Sequence, residues 1–158
     1  AHETVSQGAV SLDGTENASV QYARCCRPVP GDPIVGYLGR GEGLVVHIAD
    51  CPVASRLRHK DAERFIHVEW ADEPSRPFET GVLVTVTNGK GVLARVASAF
   101  ASAEADIIHM DMGEEAAQEA TDLRFLISVR DSAHLEAVLR ALNRTASVLR
   151  ASRVRPAS

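Results

Sequence analysis

The sequence predicts an α+β chain in two parts: a small α/β unit bearing cysteine and histidine, then a unit with the order β-α-β-β-α-β. Three observations carry this. The stretch Ala71-Asp72-Glu73-Pro74-Ser75-Arg76-Pro77 holds two prolines and three charges, which marks a linker. Every cysteine lies before it. After it, apolar residues switch between period two and steps of three and four. The expected layout is a linker over 1–19, a first domain over 20–71, a linker over 72–78 and a second domain over 79–158.

The second domain is the easier to read. Val82, Val84 and Val86 alternate with Leu83, Thr85 and Thr87, a β-branched strand pattern. Asn88-Gly89-Lys90-Gly91 ends it. Leu93, Val96, Phe100 and Ala103 then recur at helical steps, and Asp106 to Met112 returns to strand character. After an acidic, Ala-rich connection (Gly113 to Ala120), Leu123, Phe125, Ile127 and Val129 alternate with Arg124, Leu126, Ser128 and Arg130. Asp131 and Ser132 are good caps for a second helix with the face Leu135, Val138, Leu139 and Leu142. Val148 to Val154 supplies the last strand. This order predicts a four-stranded antiparallel sheet with two helices on one face, the ferredoxin-like arrangement.

The first domain is shorter and rich in glycine. Residues 34–38 and 44–48 read as a hairpin turning through Gly39-Arg40-Gly41-Glu42-Gly43. Pro52 suits the first position of a short helix through about Arg58, and Phe65 to Trp70 reads as a further strand. About fifty residues with few large side chains make a marginal core that often needs a staple. The first eighteen residues are polar and small, apart from a short VSLDG stretch.

Bulk properties narrow the function. Of 158 residues, 45% are hydrophobic and 24% charged, which fits a globular chain with a real core. The net charge of −4 and the absence of a basic segment give no charge-based reason to expect nucleic-acid binding. No apolar run approaches a membrane span, and no signal-peptide pattern opens the chain. The opening AHETVSQGAV reads like the middle of a longer protein. Three cysteines, an odd number, point to a reducing, cytoplasmic compartment.

Cys25, Cys26, His47 and Cys51 form a soft sulfur-and-nitrogen set of the size tetrahedral zinc prefers. On a regular strand Cys25 and Cys26 would face opposite ways, so a shared ion requires a kink, which Arg27-Pro28-Val29-Pro30-Gly31 could supply. The same residues also read as reduced, partly buried thiols beside an ordinary histidine. A vicinal disulfide would be strained, and a Cys nucleophile with His47 as base lacks an accompanying oxyanion motif. His2, His59, His67, His109 and His134 show no ligand spacing and read as surface or satisfied core histidines. The two glycine-rich turns lack the lysine and hydroxyl of a phosphate loop.

The string Tyr22-Ala-Arg-Cys-Cys-Arg-Pro-Val-Pro-Gly-Asp-Pro-Ile-Val-Gly-Tyr37, with Gly-Leu-Val-Val-His-Ile-Ala-Asp-Cys51, resembles the CC…HxxxC segment of RelA/SpoT proteins. These synthesise and hydrolyse the alarmone (p)ppGpp. Val86-Thr-Asn-Gly-Lys-Gly-Val-Leu-Ala94 resembles the first turn of that family's ACT domain, and Asn88 brings it closest to the bifunctional, SpoT-like branch. The resemblance implies that Cys25, Cys26, His47 and Cys51 are zinc ligands. It implies that synthetase and hydrolase domains lie upstream, leaving this stretch regulatory and without catalytic residues. It further implies a homodimer through the ACT domain, with a small amino acid at the turn. There Gly89 and Gly91 let backbone approach a ligand, and the helix N-terminus beyond Asn88 favours a carboxylate. Val92, Leu93, Ile107 and Ile108 suit a branched aliphatic side chain. The alternative is a module that docks on the ribosome or on its own catalytic domains.

Overall fold

The computed structural model describes residues 10–14, 19–74, 77–112 and 119–154. It divides into two compact units, the first ending at Phe78 and the second running Glu79–Val154.

Among the described residues the first unit holds six short strands, one α-helix and a 3-10 turn at Ala62–Arg64. The strands and the α-helix are β1 (Val10–Leu12), β2 (Val20–Tyr22), β3 (Ile34–Gly39), β4 (Gly43–Ile48), α1 (Pro52–Lys60), β5 (Phe65–Ile66) and β6 (Val68–Trp70). β3 and β4 form the expected hairpin, in register from Ile34↔Ile48 to Gly39↔Gly43. Gly43 must be glycine: its φ is +76°, and an added Cβ would collide with the Ser19 carbonyl. That contact is where β2 joins β4, in parallel. The larger sheet runs β2-β4-β3-β5. One face of β4 sends Leu44 and Val46 into a core with Leu12 and Val68. The other turns Val45 and His47 towards the cysteines and α1.

Two expectations change here. Residues 10–12, assigned to a linker, form β1, which pairs parallel with β6 and buries Leu12 completely. Three residues are too few to carry a period, and the partner lies almost sixty residues away. The single strand expected over Phe65–Trp70 is two: β5 pairs with β3 and β6 with β1. His67 stands at the break, its carbonyl accepting from the Val10 N–H at 3.2 Å.

The second unit is built from β7 (Phe78–Thr87), which it takes up from Glu79, α2 (Val92–Ser102), β8 (Asp106–Met112), β9 (Ala120–Val129), α3 (Ser132–Asn143) and β10 (Val148–Arg153). The sheet order β10-β7-β9-β8 is that of the ferredoxin-like arrangement. Val82, Val84 and Val86 of β7 and Leu123, Phe125, Ile127 and Val129 of β9 are buried, as the alternation predicts. The connection over 113–118 lies outside the described residues. On α2 the buried face is Val92, Val96 and Phe100, while Leu93 stays exposed. Two adjacent apolar residues at a helix start leave the phase open, and the i, i+4, i+8 face wins. The buried face of α3 is Leu135, Val138 and Leu142.

His134 is a satisfied core histidine. Its Nδ1 accepts from the Arg130 N–H at 3.0 Å and its Nε2 meets the Ala103 carbonyl at 2.8 Å, tying the start of α3 to the end of α2. Asp131 caps α3, its carboxylate accepting from the His134 N–H at 2.8 Å. Asp131→Ala is expected to cost about 1 kcal/mol, which a melt followed by circular dichroism reads as a fall of about 4–8 °C.

Candidate metal centre and the turn at residues 88–91

β2 ends at Tyr22, so Cys25 and Cys26 do not sit on a strand. The chain closes one helical turn, the Arg27 N–H donating to the Ala23 carbonyl at 2.9 Å, and leaves it with Arg27 at φ +49°. This is the kink that lets adjacent cysteines aim at one point. It is completed one residue before the prolines thought to supply it. His47 comes from the face of β4 turned towards α1. Cys51 is the N-cap of α1, where Pro52 has no N–H to leave unpaired.

The four donor atoms lie within 4.8 Å of one another. Cys25 Sγ is 3.5 Å from His47 Nδ1, 3.6 Å from Cys51 Sγ and 3.9 Å from Cys26 Sγ, and Cys26 Sγ is 3.9 Å from His47 Nδ1. Metal–ligand bonds of about 2.0–2.3 Å give a tetrahedron with edges of about 3.3–3.8 Å, close to these separations. The set can therefore hold a metal ion. Sulfur atoms 3.9 Å apart are not a disulfide, which needs about 2.05 Å, and all three cysteines are free.

The surroundings favour ligation over nucleophilic chemistry. Burial pushes the Cys26 thiol well above its ordinary range and raises Cys25 as well, the neighbouring Cys51 adding to the effect on Cys25. Burial also lowers His47, keeping the imidazole neutral. A nucleophilic cysteine needs the opposite shift. A divalent cation at the centre is what would make thiolates favourable here. The Ile48 N–H already points at Cys26 Sγ, at 3.2 Å, as an outer hydrogen bond to a bound thiolate would.

In the second unit, Asn88, Gly89 and Gly91 meet at the passage from β7 into α2. Gly91 is the N-cap at φ +76°, and no side chain caps the helix. Thr121 of β9 donates its hydroxyl to Asn88 Oδ1 at 2.9 Å, and the Asn88 N–H donates to the Glu119 carbonyl at 2.9 Å. Thr121 went unnoticed in the sequence because nothing local links it to Asn88, thirty-three residues earlier.

The apolar residues expected beside this turn separate. Val92 is 6% exposed and belongs to the core, so it lines no open pocket, whereas Leu93 is 43% exposed at the turn. Ile107 (39% exposed) and Ile108 (51%) stand at the start of β8. That start pairs with Ser128 of β9, while the far end, Met112, pairs with Leu123, beside Thr121 and the turn. Eleven residues of α2 span about 16 Å, so within one chain Ile107 lies at the other end of the helix from Gly91.

Comparison with known proteins bears on both sites. A family model of the RelA/SpoT RIS domain matches residues 10–71, and one of the ACT domain matches residues 74–153. The bifunctional (p)ppGpp synthase/hydrolase SpoT of Escherichia coli K12 is 31% identical over 152 residues, covering 96% of this chain and 21% of that protein. The GTP pyrophosphokinase of Streptomyces coelicolor is 35% identical over 133 residues, covering 84% of this chain and 16% of its own length. The chain thus spans about a fifth of the length of such relatives. A crystal structure of the ACT domain from the GTP pyrophosphokinase of Chlorobium tepidum covers 49% of this chain and 99% of its own, at 13% identity and TM-score 0.43. Among the described residues no helix is long and apolar enough to cross a membrane.

Proposed function

Because the chain belongs to the RelA/SpoT RIS-domain and ACT-domain families, we propose that it is the sensory region of a (p)ppGpp synthetase/hydrolase, binding a small amino acid at a dimeric ACT domain and bracing its RIS domain with a structural metal. The observation that carries the sensing role is the uncapped start of α2 at Gly91, next to Asn88, in a sheet whose outer strand is exposed. Free N–H groups of that first turn would receive the ligand carboxylate.

The exposed edge supports the dimer. β8 is the outer strand, and most of it is exposed, including Ile107, Ile108 and Met112. A long exposed edge with apolar side chains is a template for pairing. Antiparallel pairing of β8 with its copy brings Ile107 and Ile108 of the partner subunit alongside Asp111 and Met112, at the turn end. The apolar half of the site then comes from the partner, and the carboxylate half from Asn88–Leu93. A branched aliphatic side chain suits that lining.

Cys25, Cys26, His47 and Cys51 would hold Zn²⁺, which closes β2, β4 and α1 together and supplies no reaction. In the longer protein, amino-acid binding controls the balance of alarmone synthesis and hydrolysis to the extent that the ligand prefers one state of the catalytic domains.

Calorimetric titration with valine, leucine and isoleucine tests the reading. Saturable heat at millimolar concentration or below is expected, with none for D-valine. Ile108→Lys should raise the dimer dissociation constant at least tenfold by sedimentation, and weaken valine with it. No heat for any of the three, or valine binding by a monomeric Ile108→Lys variant at full strength, would remove the proposal in favour of ribosome or self-docking.

A further inference from the structure

We propose that the groove beside the Cys/His cluster in the first unit binds an amphipathic anion, an apolar body bearing one carboxylate-like charge, with Arg24 as its electrostatic anchor. The groove is a cavity of about 520 Å³. That is the size of a small-molecule pocket, commonly about 300–1,000 Å³.

The alternation of β4 creates it. Leu44 and Val46 point into the core, so Val45 and His47 must face the other side. α1 covers that side only in part: Val53 and Leu57 reach the groove and remain half-buried. Val45, Tyr37, Val53 and Leu57 give it an apolar floor. Tyr37 is held in place, its hydroxyl donating to Asp61 at 3.4 Å and its ring packed against Phe65 at 5.2 Å. A held ring at this point of the floor lowers the ordering cost of binding.

The rim decides the sign of the ligand. Arg40 is engaged with Asp61 at 3.8 Å. Arg24 is exposed and has no hydrogen-bond or ion-pair partner among the described residues, and it borders the groove directly. Glu42 also borders it and opposes an anion. A ligand that places its charge at Arg24 and its apolar body over Val45 satisfies both the cation and the exposed floor. A neutral apolar molecule would leave Arg24 unanswered, and a small anion would leave the floor in water.

The test uses the zinc-loaded 158-residue chain and methyl-resolved NMR, with 2-naphthoate as probe, 2-naphthamide as its neutral counterpart and acetate as its charge alone. Saturable shifts of the Val45, Val53 and Leu57 methyls are expected with naphthoate, at least fivefold weaker binding with the amide, and no shift with acetate. Arg24→Ala should weaken naphthoate at least fivefold, Arg24→Lys should retain it, and Glu42→Gln should strengthen it. Val45→Trp, which fills the floor, should abolish it. Unchanged Trp70 emission certifies that each variant at Arg24 and Glu42 is folded, and an unchanged melt does so for Val45→Trp. Equal affinity for acid and amide, indifference to Arg24→Ala, or shifts confined to the second unit would each overturn the proposal. The responding residues differ from those of the valine titration, so the two outcomes are independent.

Discussion

Treating the zinc-loaded chain with a strong chelator is expected to shift Trp70 emission to the red and to abolish the melting transition that it reports. His47→Ala should do the same without chelator. Trp70 is the only tryptophan and belongs to the first unit, so its emission follows that unit alone. Its ring stacks on Tyr22 at 6.0 Å, and its N–H donates to the Asp32 carbonyl at 3.0 Å. Tyr22 ends β2, three residues before Cys25. Loss of the ion therefore frees the strand on which the indole rests. The size of the effect follows from two magnitudes. A core in a domain this small supplies about 3–5 kcal/mol, whereas structural zinc in finger peptides contributes an apparent 10–16 kcal/mol or so. Without metal, Cys26, His47 and Cys51 are left as polar groups in a nearly dry cluster. Asp50→Ala, on the exposed residue beside Cys51, is the control and should melt like the parent. Unaltered Trp70 emission and melting after zinc removal is verified by elemental analysis would show that packing alone holds this unit.

Phe100→Ala is expected to destabilise the second unit by about 3–5 kcal/mol. Phe100 is fully buried on the same face of α2 as Val96, with its ring 4.8 Å from that of Phe125 at 57°. These are the two phenyl rings within Glu79–Val154, where the other buried apolar side chains are aliphatic. Small neighbours such as Ala97, Ala101 and Ala105 cannot swing in to fill the space, so most of the cavity persists. A fall in melting temperature of at least about 12 °C, followed by far-ultraviolet circular dichroism, is the corresponding observable. Ser98→Ala, on the exposed face of the same helix, should move it by little. A Phe100→Ala variant that melts like the parent would mean that α2 is not what the sheet is built around.

The second unit was readable from local pattern because its signals are local. The alternation at 82, 84 and 86 and at 123, 125, 127 and 129 needs no partner to be seen, since a sheet buried on one face imposes it on each strand separately. Asp131 was legible for the same reason: a cap bonds the third residue after it. The elements that escaped detection depend on distant partners. β1 has three residues and acquires its identity from Val68–Trp70, and β5 and β6 part because they serve different sheets. Leu93 looked like a core residue, and only docking of α2 on the sheet settled which of two adjacent apolar side chains would be covered.

The chemistry of the two sites divides in the same way. Residue types and short spacings were enough to single out Cys25, Cys26, His47 and Cys51, and to place Asn88–Gly91 at a strand-to-helix turn. They could not show that four donors from three elements converge within 4.8 Å, because that depends on the turn at 23–27 and the register of β4. Nor could they show that Ile107 and Ile108 lie a helix length from Gly91, or that Thr121 supports Asn88. Composition and period act along a few neighbouring residues, and so the sequence alone determined element types and donor chemistry. Which of those residues share a point in space is set by strand pairing over tens of residues, and only the tertiary structure decided it.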